Sequence, residues 1–409
     1  MIRRAKLKNE LKTCLDKHEL EKVHEEIHEI EMKVSSLISA ENTRKVKEHL
    51  STMSSMDGSL NPVGFWKIKK KLFPKNDQSL PVSKINLDSR LISQPLELKE
   101  LYIRTYIHRL RHRPIKPGLE LIKTLKEQLC QKRLELARLL PNKVWSNNDL
   151  TKVLKNLKMN KSRDPHLLIN EIFKPGVIGT DLQKSLLFLF NRVKVQFEIP
   201  EIMQFANIVS IYKGKGVKND LKNDRGIFIM NIFKSIMMKM IYNQEYDVID
   251  LNMSDSNIGA RKKMNIRNHI FVLNGIINEA LKTGKSVDIQ ILDYRQCFDS
   301  MWMEDCINDL YDYGVKSPNL ALIYEANKVN KVAVMTPNGL TTRTNVEQIV
   351  MQGEVFGSLE CSVTVDTIGK ECLAKGKYLY FYKGVEVPPL AMVDDFSVCF
   401  YLWVRHSEN

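Results

Sequence analysis

Apolar positions near the start of the chain recur at helical spacing. From Leu20 they run Leu20, Val23, Ile27, Ile30, Val34 and Leu37, with charged residues between them. A stripe that narrow is the seam of a short coiled coil. It predicts a helical arm over residues 1–58 that packs against the rest of the chain or self-associates. Helical spacing returns over Leu119, Ile122, Leu125, Leu129, Leu136 and Leu139, marking another amphipathic helix begun at Pro117.

Farther along, helical and strand patterns alternate. Ser146-Asn147-Asn148-Asp149 reads as a cap ahead of a helix over 150–159, and Lys161–Pro165 as a polar turn. Residues 181–195, 231–244 and 268–282 read as helices, and 206–212 and 287–293 as strands. A Gly-punctuated turn at 352–358 leads into an apolar helix. The segment 390–398 places Asp394 and Asp395 between two short apolar runs, the pattern of a hairpin tip. The mixture predicts an α/β (α+β) protein.

Composition sharpens this picture in one respect. The net charge of +14 is concentrated: residues 61–150 carry 19 Lys and Arg against 8 Asp and Glu, whereas residues 1–50 carry 11 against 10. Phe65–Lys71 and Arg109–Arg113 interleave rings or His with cations, as nucleic-acid grooves do. A polyanionic partner is therefore expected, nucleic acid before membrane. The seven cysteines form no C-x-x-C pair, which favours reduced thiols in an intracellular protein of the nucleus or cytoplasm. No apolar run reaches membrane-span length, and no apolar segment follows the basic N-terminus to make a secretory signal.

The candidate chemistry lies in the second half of the chain. Asp293 closes a strand, Phe298-Asp299 opens a helix five residues on, and the Asp394-Asp395 pair sits at the distant hairpin. Carboxylates flanked by apolar residues are costly without a cation, and hard divalent metals take carboxylate oxygens. Lys213-Gly214-Lys215-Gly216 is a basic loop suited to phosphate, but it lacks the P-loop spacing.

In this order the motifs resemble the palm of a nucleic-acid polymerase. More closely, residues 60–409 resemble the reverse transcriptase of non-LTR (LINE-type) retrotransposons. Asp293–Asp299 resembles the family's D-x-x-x-x-[FY]-D block, and Gln352-Gly353 with Gly357-Ser358 its Q-G turn. Met392–Asp395 resembles its [FY]-x-D-D hairpin, and Lys213 through Arg225-Gly226-Ile227 its K-x-G…R-P-I fingers segment. The resemblance implies a fingers–palm architecture with an antiparallel palm sheet backed by helices. It divides the chain into the arm (1–58), a basic helical extension (59–144), fingers (145–284) and an incomplete palm (285–409).

It also implies an RNA-directed DNA polymerase that joins dNTPs to a DNA primer on an RNA template, using two Mg²⁺ or Mn²⁺ ions. Asp293, Asp394 and Asp395 would be the catalytic metal ligands, and the backbone carbonyl of Tyr294 would complete the nucleotide-side metal. Lys213 and Arg225 would meet the triphosphate, Phe298 would lie under the sugar, and Gln352 and Gly353 would approach the templating base pair. Met392 stands where the family has an aromatic residue, and Gly226 where it has Pro. Only 14 residues follow Asp395, so little or no processive polymerase activity is expected of this chain alone. The alternatives are a non-catalytic nucleic-acid-binding remnant of such an element and an RNA-directed RNA polymerase palm.

Overall fold

A computed structural model of the chain divides into two units, Met1–Gln78 and Ser79–Asn409. In the first unit it describes Arg44 and Glu48, helical positions joined by a salt bridge of 2.6 Å. In the second it describes residues 85–87, 90–111, 118–214, 216–218, 220–294, 297–347, 350–351, 353–375, 379–393 and 395–401. The coiled-coil stripe over 20–37 and the Phe65–Lys71 cluster lie outside the described residues, as do Gln352, Asp394 and the side chain of Asp299.

The second unit begins with the ribbon β1 (Ile85–Leu87) and β2 (Arg90–Ile92), followed by α1 (Pro95–Arg111), α2 (Glu120–Leu139), α3 (Asn147–Lys155) and α4 (Thr180–Gln196). Then come β3 (Phe205–Tyr212), β4 (Asp224–Met230), α5 (Ile232–Asn252), α6 (Ile266–Thr283) and β5 (Val287–Asp293). After these the chain forms α7 (Cys297–Ser300), α8 (Met303–Asp312), α9 (Pro318–Lys328), β6 (Val329–Thr336), β7 (Gly339–Leu340) and β8 (Thr344–Glu347). It ends in α10 (Gly357–Lys375), β9 (Phe381–Tyr382), β10 (Val385–Glu386), β11 (Leu390–Met392) and β12 (Asp395–Tyr401).

The protein is therefore mixed α and β with predominantly antiparallel sheets. A five-stranded sheet runs β4-β3-β6-β7, with β8 also on β6, and only the β3–β6 pair is parallel. A three-stranded antiparallel sheet runs β11-β12-β5. Among the described residues no helix is long and apolar enough to cross a membrane.

Local chemistry explains the helix starts. Ser146 and Asp149 close a reciprocal capping box on α3, and the Asn231 side chain accepts from Phe233 and Lys234 at the start of α5. Asp164 adds a second acceptor there through Ile232 N–H at 3.1 Å. The third helix ends at Lys155, four residues before the 150–159 reading, and α5 runs on to Asn252, eight residues beyond the 231–244 reading.

The largest core is helical, built from α2 to α5 and α8 to α10 around Trp145, Phe190, Ile236 and Phe356. A second core lies between α1 and the five-stranded sheet, around Tyr102, Tyr106, Ile208 and Val334. The amphipathic stripe read on α2 does not face a core. Ile122, Leu125, Leu129, Leu136 and Leu139 are exposed, and the buried face is Cys130, Leu134 and Ala137. Both sets fit a helical period, and α2 packs against α8 and α9 through the smaller one.

Candidate active site

The three-stranded sheet joins two acids that are distant in sequence. Met392 pairs with Asp395 in the β11–β12 hairpin, with Val393 in the turn between the strands. On its other edge β12 pairs with β5, placing Asp395 directly opposite Asp293. Directly opposed residues project from the same sheet face, with Cβ atoms about 5 Å apart. Ile291 with Ser397, and Ile289 with Cys399, share that face.

The face is closed at one end and open at the other. Cys399 is buried among Ile276 of α6, Tyr380 and Val387, with Ile289 packed against them. Toward the hairpin Ile291 is 75% exposed, and Asp293 and Asp395 are exposed. The opposite face is a core: Phe396, Val398 and Ala391 pack on Val365 of α10. The acids therefore sit at the open end of one face while the other face anchors the sheet. Among the described residues no cation or hydrogen-bond donor meets the Asp293 side chain.

A loop over 254–261 holds the hairpin from its outer edge. Ile258 N–H donates to the Ala391 carbonyl at 2.9 Å, and Ala391 N–H donates to Ser256 O at 3.0 Å. Asn257 Nδ2 donates to Ser362 O on α10 at 2.8 Å, and its Oδ1 accepts Gly259 N–H at 2.9 Å. Arg261 locks the loop by donating to Asp250 Oδ1 at 2.6 Å and to the carbonyls of Ser254 and Asn257 at 2.8 and 3.0 Å. Gly259 lies directly against the turn: a Cβ there would sit 2.3 Å from Val393 N and 2.2 Å from Ser362 Oγ. Val393 has φ +60, a strained value for a β-branched residue. The Arg261–Lys263 charge cluster is the sequence signal beside this loop, whereas the two bonds that reach the hairpin itself use only backbone groups.

Lys213 and Arg225 are brought together on the other sheet. Ile211 pairs with Arg225, and Lys213 N–H donates to Asn223 O at 2.9 Å, which continues the β3–β4 register. Both cations are exposed on one face. The reverse face is buried against α1, where Tyr106 donates to Ser210 Oγ at 2.7 Å and Ser210 donates to Asp224 Oδ2. Burial raises the Asp224 pKa, and Ser210 partly offsets the shift. Gly226 lies on that buried face, where a Cβ would reach within 2.7 Å of the Tyr106 ring. Arg109, read as part of a nucleic-acid cluster, is spent internally: it donates to Leu221 O and to Asp224 O, the latter at 3.2 Å.

Gly353 has φ +107, and a Cβ there would sit 3.1 Å from Phe228 O, so its turn abuts β4 two to three residues from Arg225. Beneath that turn is a buried polar cluster. Lys234 of α5 donates to Ala326 O at 2.5 Å and to Asn327 and Asn330 Oδ1 at 3.0 and 2.9 Å. Glu354 and Glu360 are buried nearby, and burial raises both carboxyl pKa values while lowering that of Lys234. Asn327 approaches Glu354 and eases its shift without completing a well-formed hydrogen bond. A lysine inside the apolar run Ile232–Ile241 was the available signal for this cluster.

Tyr294 and Phe298 turn toward the interior, half-buried against the core behind β5. Burial raises the Tyr294 pKa, and its ring lies among Cys297, Cys372 and Cys361. The pairing thus joins Asp293 to Asp395, Lys213 to Arg225, and Gly353 to β4. Comparison with known protein families and with curated proteins gives no match.

Proposed function

We propose that the chain is an RNA-directed DNA polymerase domain of the non-LTR retrotransposon type, with β5, β11 and β12 as its palm sheet and the β3–β4 hairpin in its fingers. The supporting observation is the register that sets Asp293 opposite Asp395 at the open end of one sheet face. Hard carboxylate oxygens, exposed and paired across two strands, suit a divalent cation. Asp293 and Asp395, with Asp394 beside Asp395 in sequence, would hold Mg²⁺ or Mn²⁺. When bound, two such ions neutralise charge on the attacking 3′-oxygen and the leaving pyrophosphate.

The chain's own residues would orient the reactants. Arg225 offers a planar fork and Lys213 a point charge to a triphosphate, and neither is drawn into the core. Gly353 keeps its turn free of side-chain bulk where the template and primer pair would pass. Nucleotidyl transfer depends mainly on this kind of positioning and charge neutralisation.

The test is single-nucleotide addition to a DNA primer on an RNA template with Mg²⁺ or Mn²⁺, alongside Mn²⁺ titration without substrate. Asp293→Asn is expected to lower addition at least about a hundredfold, in line with the loss of one preorganised electrostatic group, and to weaken Mn²⁺ binding. Because Asp293 is exposed, its thermal midpoint should not move. Duplex binding by the parent chain without a metal response from Asp293→Asn would instead identify a non-catalytic nucleic-acid-binding protein.

A further inference from the structure

Behind β5, two cysteines 64 positions apart meet inside the core. Cys297 on α7 and Cys361 on α10 place their sulfurs 3.0 Å apart. A disulfide requires about 2.05 Å, so closure moves the sulfurs together by only about 1 Å. The pair is not symmetric in access: Cys297 is 8% exposed and Cys361 fully buried. The third nearby cysteine, Cys372, is half-exposed on α10 and lies close to Tyr294.

We infer that Cys297 and Cys361 are an oxidative modification site, a dithiol that closes reversibly to a disulfide when a hydroperoxide reaches the protein. The Cys297 thiolate attacks the terminal peroxide oxygen and the O–O bond breaks. The departing oxygen takes a proton and leaves as water or an alcohol, and Cys297 becomes a sulfenic acid. The Cys361 sulfur then attacks the Cys297 sulfur, forming S–S and breaking S–OH. Hydroxide leaves and takes the Cys361 proton as water. Two thiols lose two electrons in total, and one hydroperoxide gains them.

The bond would tie the helix that follows the Asp293 strand to α10. That helix also supports the hairpin through Val365 against Phe396 and through the Ser362 carbonyl. Oxidation would therefore stiffen the framework behind both acids, whatever reaction they serve.

The experiment treats the folded 409-residue chain with a small excess of hydrogen peroxide, digests it without reduction and maps linked peptides by mass spectrometry. A Cys297–Cys361 peptide two hydrogens lighter than its parts is expected, lost on dithiothreitol treatment and retained in Cys372→Ser. Amide exchange over Cys297–Ser300 should slow at least tenfold in the oxidised protein. Cys361→Ala should abolish the link and leave a Cys297 sulfenic acid trappable by dimedone. Should that variant fail to fold, Cys297→Ala is expected to abolish the same link. Absence of the linked peptide while Cys372 is oxidised, or a Cys297–Cys372 link in its place, would overturn the inference.

Discussion

Replacing Gly259 by Ala tests whether the 254–261 loop sets the hairpin. The added methyl would meet Ser362 Oγ at 2.2 Å and Val393 N at 2.3 Å, with Val393 Cα at 3.0 Å. The Ser362 hydroxyl can rotate away, but the Val393 nitrogen belongs to the turn itself. Restoring an ordinary contact near 3.4 Å moves the turn by about 1 Å, and overpacking of this kind costs about 1–3 kcal/mol. A shift of 1 Å in a reacting group costs on the order of a hundredfold in rate.

Thermal unfolding should register Gly259→Ala as a drop of roughly 2–6 °C, at about 2 °C per kcal/mol for a unit of this size. Mn²⁺ affinity and nucleotide addition should fall with it. The double variant Gly259→Ala, Ser362→Ala separates the two contacts, because it removes the hydroxyl and leaves the Val393 backbone in place. It should recover less than half of the lost stability and little of the metal affinity. If Gly259→Ala left both midpoint and Mn²⁺ binding unchanged, or if the double variant restored both in full, the loop would not position the turn.

Five further substitutions test the packing. Lys234→Ala leaves Ala326 O, Asn327 Oδ1 and Asn330 Oδ1 without their buried donor and should cost about 3–5 kcal/mol in urea unfolding, at about 1–3 kcal/mol per unpaired buried acceptor; a loss under about 1 kcal/mol would contradict the buried cluster. Burial lifts the Asp309 pKa from 3.8 to about 6, so the folded state keeps this proton where the unfolded chain gives it up. Stability thus falls as pH rises from about 4 to about 6. Asp309→Asn, which can still accept from Thr364, should stabilise by about 1–2 kcal/mol at pH 7.5 and by nothing near pH 4, the full shift being discounted for partial exposure. Leu125→Gln and Leu129→Gln on the open side of α2 should each change stability by less than about 0.5 kcal/mol, against about 2–5 kcal/mol for Leu134→Ala; the reverse ranking would show that the wrong face was assigned to the core.

The acid strand and the hairpin were legible in the sequence because each is a short apolar run ending in a carboxylate. The Met392–Asp395 pair then closes the hairpin within four residues, so the β11–β12 register is local. The pairing of β5 with β12 was legible only through the order of the motifs, since Asp293 and Asp395 are 102 positions apart, too far for any local signal. On α2 periodicity could show a helix but not which of two apolar faces is covered. The leucines looked like the core face, yet the face carrying Cys130 and Ala137 packs. Lys234 escaped notice because a lysine in a helix is ordinarily solvated, whereas here Ala326, Asn327 and Asn330 accept its protons in the interior.

The same distinction explains why the hairpin's support could not be read directly. A β-branched residue at φ +60 costs on the order of 1–3 kcal/mol. Nothing in the turn's own sequence offsets that cost, since Val is a poor choice for positive φ. Two backbone hydrogen bonds from the 254–261 loop to Ala391 each contribute about 0.5–1.5 kcal/mol, together about the size of the strain. They are amide-to-carbonyl bonds, which almost any residue could make, so the sequence carries little trace of them. What it does carry is the missing side chain at Gly259, where the loop must touch the turn, and the Arg261–Asp250 pair that holds the loop in place. The geometry of the acid turn is therefore set more than a hundred residues upstream of it, and substitutions in that loop should mimic damage at the acids themselves.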